Sequence, residues 1–197
     1  MERLSETVLR YAEEQPEGAP VLAKGLLHLG SRAAIDQALS RLVRRGALLR
    51  AGRGVYVLPV ESRFGRRAPS VEKTVTALAA ARGERIANSG AMAANVLGLT
   101  GQVPVRRVFL TSGPSRTLTL GRERVELRHA PPWQLALAGR RAGEAVRALA
   151  WLGRDRAGEA TGLVRERLSE EERRELGSVS AQMPGWLAGP VNAVAHG

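Results

Sequence analysis

The 197-residue chain contains no cysteine. That absence excludes disulfides, thiol nucleophiles and cysteine-ligated metals together, and it fits a reducing cytoplasm, the expected location. Histidine is scarce. His28, His129 and His196 are scattered, so a zinc site would need carboxylates drawn from distant positions. Aspartate occurs only at Asp36 and Asp155, which makes every carboxylate from Gln37 to Arg154 a glutamate. Aromatic residues make up 4% of the chain, too few for a platform that stacks single-stranded bases. No run of about 18 apolar residues is present, so no membrane span is expected. The opening MERLSETVLRYAEEQPEG is acidic and amphipathic and lacks the basic end and apolar centre of a signal peptide.

What is present is ordinary for a globular chain, 44% hydrophobic and 25% charged, with enough length to bury a core. The charge balance is not ordinary. Thirty basic residues face nineteen acidic ones, giving +11, and all but Lys24 and Lys73 of the basic set are arginine. Arginine's planar fork suits phosphates and guanine edges, although a coding bias would give the same count. Distribution says more than the total. Residues 1–68 carry twelve basic and seven acidic groups, net +5; residues 69–155 carry thirteen and six, net +7; residues 156–197 carry five and six, net −1. Between Ser31 and Arg67 nine arginines face only Asp36 and Glu61, a net of +7. Such a stretch attracts polyanions by steering and counterion release. It would attract acidic proteins and anionic membranes too.

Leu4, Val8, Tyr11 and Ala12 recur at helical spacing, which predicts an amphipathic helix over 3–14. Pro20 is placed to open a second helix, with Leu22, Leu26 and Leu27 on one side. Leu29-Gly30-Ser31 reads as a tight turn with Ser31 as N-cap of a third helix, 32–45. In that helix Ile35, Leu39, Leu42 and Val43 share one face, while Ala33, Gln37, Ser40, Arg41 and Arg44 lie opposite. Gly46 stops it. Two apolar runs then flank Gly52-Arg53-Gly54, a hairpin pattern with Arg53 at its tip.

Helix, helix, tight turn, helix and basic hairpin is the order of a winged helix-turn-helix. Gln and Arg on the open face of the third helix are residue types that read adenine and guanine in a major groove. The candidate DNA-binding residues are Arg32, Gln37, Ser40, Arg41, Arg44 and Arg45 on and beside that helix, with Arg50 and Arg53 on the wing. Residues 61–69 read as a basic linker, in which Arg63, Arg66 and Arg67 are either additional phosphate contacts or a solubilising connector. The competing reading of the whole region is a protein-binding domain with a solvated basic face.

The second region mixes elements. A helix is expected from Val71 to about Ala81, stopped by Gly83, then a small-residue helix over 91–97 and a strand over 105–111. A hairpin is expected around Gly121, and one long helix over 133–152 with Pro132 at its start. Two more helices follow, 156–168 and 169–177, the second opened by the capping box Ser169-Glu-Glu-Glu172. Beyond Met183-Pro184-Gly185 a short apolar tail is expected, and Trp133, Trp151 and Trp186 are assigned to the core. The expected fold is α+β: a winged helix over 1–60, a linker over 61–69, and a mixed domain over 70–197 with a small sheet and C-terminal helices.

The block SRAAIDQALSRLVRRGALLRAGRGVYVLP resembles the N-terminal domain of AbiEi-type antitoxins of bacterial abortive-infection systems. The block ERIANSGAMAANVLGLTGQVPVRRVFLTSGPSRTLTLGRERVELRHAPPWQLALAG resembles their C-terminal domain, through Ser89-Gly90, Val108-Phe-Leu-Thr-Ser-Gly113 and Val125-x-Leu-x-His129-Ala-Pro131. The resemblance spans about residues 5–153. It implies a repressor of its own toxin–antitoxin operon that binds inverted repeats in double-stranded DNA. It also implies counteraction of a nucleotidyltransferase-like toxin without a stable complex. Neither a cofactor nor a metal is implied. A stand-alone winged-helix regulator is the alternative within the same class.

An enzyme is the rival class, tested most sharply as a metal-dependent nuclease. Glu126-Leu-Arg128 mimics half of a nuclease pattern with arginine where lysine is wanted, and arginine does not readily give up a proton. No upstream aspartate completes the set. His129, beside a strand end, is the residue to inspect for acid–base chemistry; its structural alternative ties the strand to the Pro131-Pro132 turn. The chain is therefore expected not to be an enzyme.

Overall fold

In the computed structural model, residues 4–63 and 65–197 are described, and they form two compact units of mixed α+β structure. One unit comprises the chain up to Glu84 together with Arg116–Val125; the other comprises Arg85–Ser115 and Glu126–Gly197.

The first unit opens with α1 (Leu4–Glu13), followed by β1 (Pro20–Leu22), a 3-10 turn (Ala23–Leu26), α2 (Arg32–Arg44), β2 (Leu49–Gly52) and β3 (Val55–Val57). The antiparallel sheet has the order β1-β3-β2, which is the connectivity of a winged helix. Its core gathers Val8 and Ala12 of α1, Ile35, Leu39 and Leu42 of α2, and Val21, Leu26, Leu48 and Tyr56. The helix expected to open at Pro20 is instead a strand and a single 3-10 turn. Proline has no N–H to donate and is tolerated at the first residue of an edge strand. Pro20 pairs there with Val57 and Leu22 with Val55, so Val21 and Leu26 fill the core without a helix, while Leu22 is half-buried and Leu27 is exposed.

The stretch read as a linker is also structured. Residues β4 (Val60–Ser62) and β5 (Gly65–Arg67) pair antiparallel, with Glu61 opposite Arg66. α3 (Val71–Arg82) follows, capped by Ser70 Oγ and ended by Gly83 in the left-handed region. Glu17 ties the loop after α1 to this cap, accepting the Ser70 N–H at 3.2 Å and pairing with Lys73. The hydrogen bond from Lys73, and then that from Ser70, hold the Glu17 carboxyl below its ordinary range.

Beyond α3 come β6 (Ile86–Asn88), α4 (Gly90–Val96), β7 (Arg107–Thr111), β8 (Arg116–Leu120) and β9 (Glu123–His129), in a sheet of order β6-β7-β9-β8. The hairpin expected around Gly121 is β8–β9; the strand β6 had no counterpart in the sequence reading. The long helix expected over 133–152 is broken. A 3-10 turn (Pro132–Leu135) is followed by Leu137 and Gly139 at φ of 51° and 75°, and α5 (Arg141–Leu152) starts only after them. Left-handed residues cannot continue a right-handed helix.

α6 (Arg154–Ala157), α7 (Thr161–Glu166), α8 (Glu170–Ser178) and α9 (Gly185–His196) complete the second unit. The Ser169–Glu172 capping box is formed in both directions. The expected apolar tail is the twelve-residue helix α9, which buries Leu187, Val191 and Val194 at helical spacing. This core joins α4, α5, α8 and α9 through Ala93, Leu97, Val146, Leu149 and Leu176. Trp133 and Trp186 pack against it, whereas Trp151, assigned to the core from sequence, is 44% exposed. Among the described residues no helix is long and apolar enough to cross a membrane.

Candidate nucleic-acid interface

Ser31 opens α2 by accepting the Ala34 N–H at 3.3 Å, in the extended backbone conformation an N-cap requires. The apolar stripe then fixes the helix rotation. With Ile35, Ala38, Leu39 and Leu42 buried, Gln37, Ser40, Arg41 and Arg44 are exposed together on the far side. Arg45 is the C-cap residue and also exposed. Arg41 and Arg44 occupy the last turn, where the negative end of the helix dipole favours cations; that accounts for some tenths of a kcal/mol, up to about 1.

Arg50 is exposed on β2, and Arg53 sits at the exposed turn between β2 and β3, with Gly54 at φ 68° supplying the left-handed residue that closes the wing. Among the described residues Arg41, Arg44, Arg45, Arg50 and Arg53 have no carboxylate partner. Two other expected contacts are engaged. Arg32 pairs with Asp36 at 2.9 Å, and Arg66 with Glu61 at 2.5 Å; all four side chains are half-exposed or more, so these pairs hold weakly and can be exchanged. Arg66 also donates to the Gly46 carbonyl at 3.3 Å, which places β5 beside the end of α2. Arg63 and Arg67 are exposed on the same hairpin.

Arg122 and Arg124 are not among the contacts expected from the sequence. Both are exposed on the β8–β9 hairpin in the same compact unit, although about seventy residues separate them from the wing in the chain. No local pattern could have assigned them there; only the tertiary fold does.

In the second unit the nuclease-like Glu126 and Arg128 pair with each other at 2.7 Å. No group of three or more His, Asp or Glu that could hold a metal occurs among the described residues. His129 Nδ1 donates to the Gly113 carbonyl at 3.0 Å and its backbone N–H donates to Ser115 Oγ, which ties the end of β9 to the loop after β7. Deeper in, Arg147 is 1% exposed. It donates to the Gln134 carbonyl and lies 3.0 Å from Glu144, which also accepts from Asn88. Burial pushes the Arg147 guanidinium below its ordinary range, and Glu144 opposes that shift.

The geometry defines a winged-helix protein whose exposed helix face and wing are cationic. The chain belongs to a family of unknown function, DUF6088, whose model matches residues 7–176. Among solved structures it is similar to the RV2827C protein from Mycobacterium tuberculosis, known from a crystal structure. The identity is 17% over 98% of this chain and 75% of that one, with a TM-score of 0.52, a likeness of fold alone. No curated protein matches it.

Proposed function

We propose that this chain is a cytoplasmic, DNA-binding, antitoxin-like repressor that acts without catalysis of its own. Its winged helix docks on inverted repeats upstream of its own operon. Arg41 and Arg44 approach bases or phosphates in the major groove, Gln37 and Ser40 refine the choice of sequence, and Arg53 clamps the flank. The observation that carries the reading is the set of five exposed arginines on and beside α2 and on the wing that have no carboxylate partner among the described residues. The role against a nucleotidyltransferase-like toxin rests on the resemblance to the AbiEi-type antitoxins, and no stable complex with the toxin is expected.

A gel-shift titration at fixed salt on the upstream region tests the DNA-binding part. Arg44→Ala and Arg53→Ala should each weaken binding, and a base-reading side chain should be worth about 1–3 kcal/mol of discrimination. Unchanged affinity in both variants would remove the assignment. Co-expression with the adjacent gene tests the antitoxin part: a neighbour that is harmless on its own leaves only a stand-alone regulator.

A further inference from the structure

The interface proposed above uses only residues before position 68, yet the same compact unit includes Arg116–Val125. That segment lies against the wing. A Cβ placed on Gly52 would stand 3.4 Å from Leu118 Cδ2 and 3.7 Å from the Thr117 carbonyl oxygen, so β8 runs beside β2. The following turn reaches the next hairpin, because a Cβ on Gly121 would stand 3.3 Å from Ala68 Cβ. Ala68 in turn offers its carbonyl to Arg67 at 3.1 Å, and Arg66 donates to Gly46 immediately after α2.

Three stretches of chain are therefore linked in series: Arg44 and Arg45 end the helix, β5 with Arg66 and Arg67 adjoins that end through the Arg66 side chain, and the β8–β9 turn with Arg122 and Arg124 adjoins the residue after β5. Glu61, opposite Arg66, and Glu123, between Arg122 and Arg124, are the carboxylates set among these six arginines, and the eight side chains together carry +4. Glu61 is already engaged by Arg66. Arg122 and Arg124 are exposed and have no carboxylate partner among the described residues. From this junction β2 leads away to the wing tip, four residues or roughly 13 Å of extended chain. The cationic surface thus has two ends, Arg53 at one and this junction at the other.

We infer that the β8–β9 turn is a second phosphate-contacting arm, in which Arg122 and Arg124 hold the backbone of duplex DNA beyond the C-terminal end of α2. The inference rests on the DNA-binding reading and adds a ligand contact to it. Phosphate contacts fix position and carry no sequence information, so the arm contributes equally on every duplex. An exposed hairpin end with unpaired arginines has little to contribute to folding, and a polyanion is the ligand whose charge it matches.

The test is fluorescence anisotropy of the full-length protein on two labelled duplexes, its own upstream region and a scrambled sequence of equal length, over a series of NaCl concentrations. The double variant Arg122→Gln/Arg124→Gln should melt like the wild type. It should lose affinity by the same factor on both duplexes, and its log–log salt slope should be shallower by about 1.8, at roughly 0.9 per phosphate contact. Arg122→Lys/Arg124→Lys should restore the slope, since a point charge suffices for a phosphate. Arg154→Gln/Arg156→Gln removes the same charge from exposed positions in the second unit and should leave the slope unchanged. A wild-type slope in the glutamine double variant overturns the arm while the wing reading stands, and so does a slope lowered equally by the Arg154/Arg156 pair. A wild-type protein with no affinity for either duplex overturns both readings.

Discussion

Arg147 and Arg44 carry the same guanidinium into opposite surroundings, and the same substitution should separate their roles. Arg147 is sealed inside the second unit, held by the Gln134 carbonyl and by Glu144, one helical turn away on α5. Glu144 Oε2 and Arg147 Nε have no further hydrogen-bond partner among the described residues. Each charge is therefore tolerated because of the other. Removing one partner of such a pair strands a buried ion, so Arg147→Ala or Glu144→Ala should lower stability in urea denaturation by about 3–5 kcal/mol. Replacing both at once by leucine should be milder than either single change, because no ion is left without its counterion. Arg44→Ala, at an exposed position in the last turn of α2, should shift stability by no more than about 1 kcal/mol while weakening DNA binding. Equal unfolding midpoints for Arg44→Ala and Arg147→Ala would contradict this division.

At the scale of elements, legibility followed locality. α1, the Ser31 cap, α2, the wing turn, α3 with its Gly83 stop, the Gly121 hairpin and the Ser169 capping box were all written in adjacent residues, through apolar spacing, cap chemistry and glycine placement. Where a partner distant in sequence decided the outcome, the sequence misled. Pro20–Leu22 reads as helix until β3 is seen beside it, and 61–69 reads as linker until Arg66 is seen opposite Glu61. The candidate site divides the same way. Its α2 and wing residues could be read directly, whereas Arg122 and Arg124 could not. α9 was missed for a different reason: Gly185, Gly189 and Pro190 suggest a broken tail, yet burial of three apolar side chains outweighs their poor helix propensity. Leu187 is fully buried in that helix, so Leu187→Ala should cost about 2–5 kcal/mol. Circular dichroism and thermal melting would check it, and an unchanged melting temperature would mean that α9 is not part of the core.

For the whole molecule, the crossing pattern of the chain matters more than the count of its parts. The first unit is completed by ten residues that return after the second has begun: Leu118, Leu120 and Val125 are each buried to within 2% exposure. A fragment ending at Glu84 retains the helices and the wing but lacks β8 beside Gly52. It should therefore unfold at a lower temperature than the intact protein and expose apolar surface to a hydrophobic dye. A fragment as stable as the full chain would show that the returning segment is an ornament. The family match over residues 7–176 runs through every one of these crossings. No single scission of the polypeptide yields two whole halves, so a protease that nicks the chain between Glu84 and Arg116 separates the wing from the segment that completes its fold.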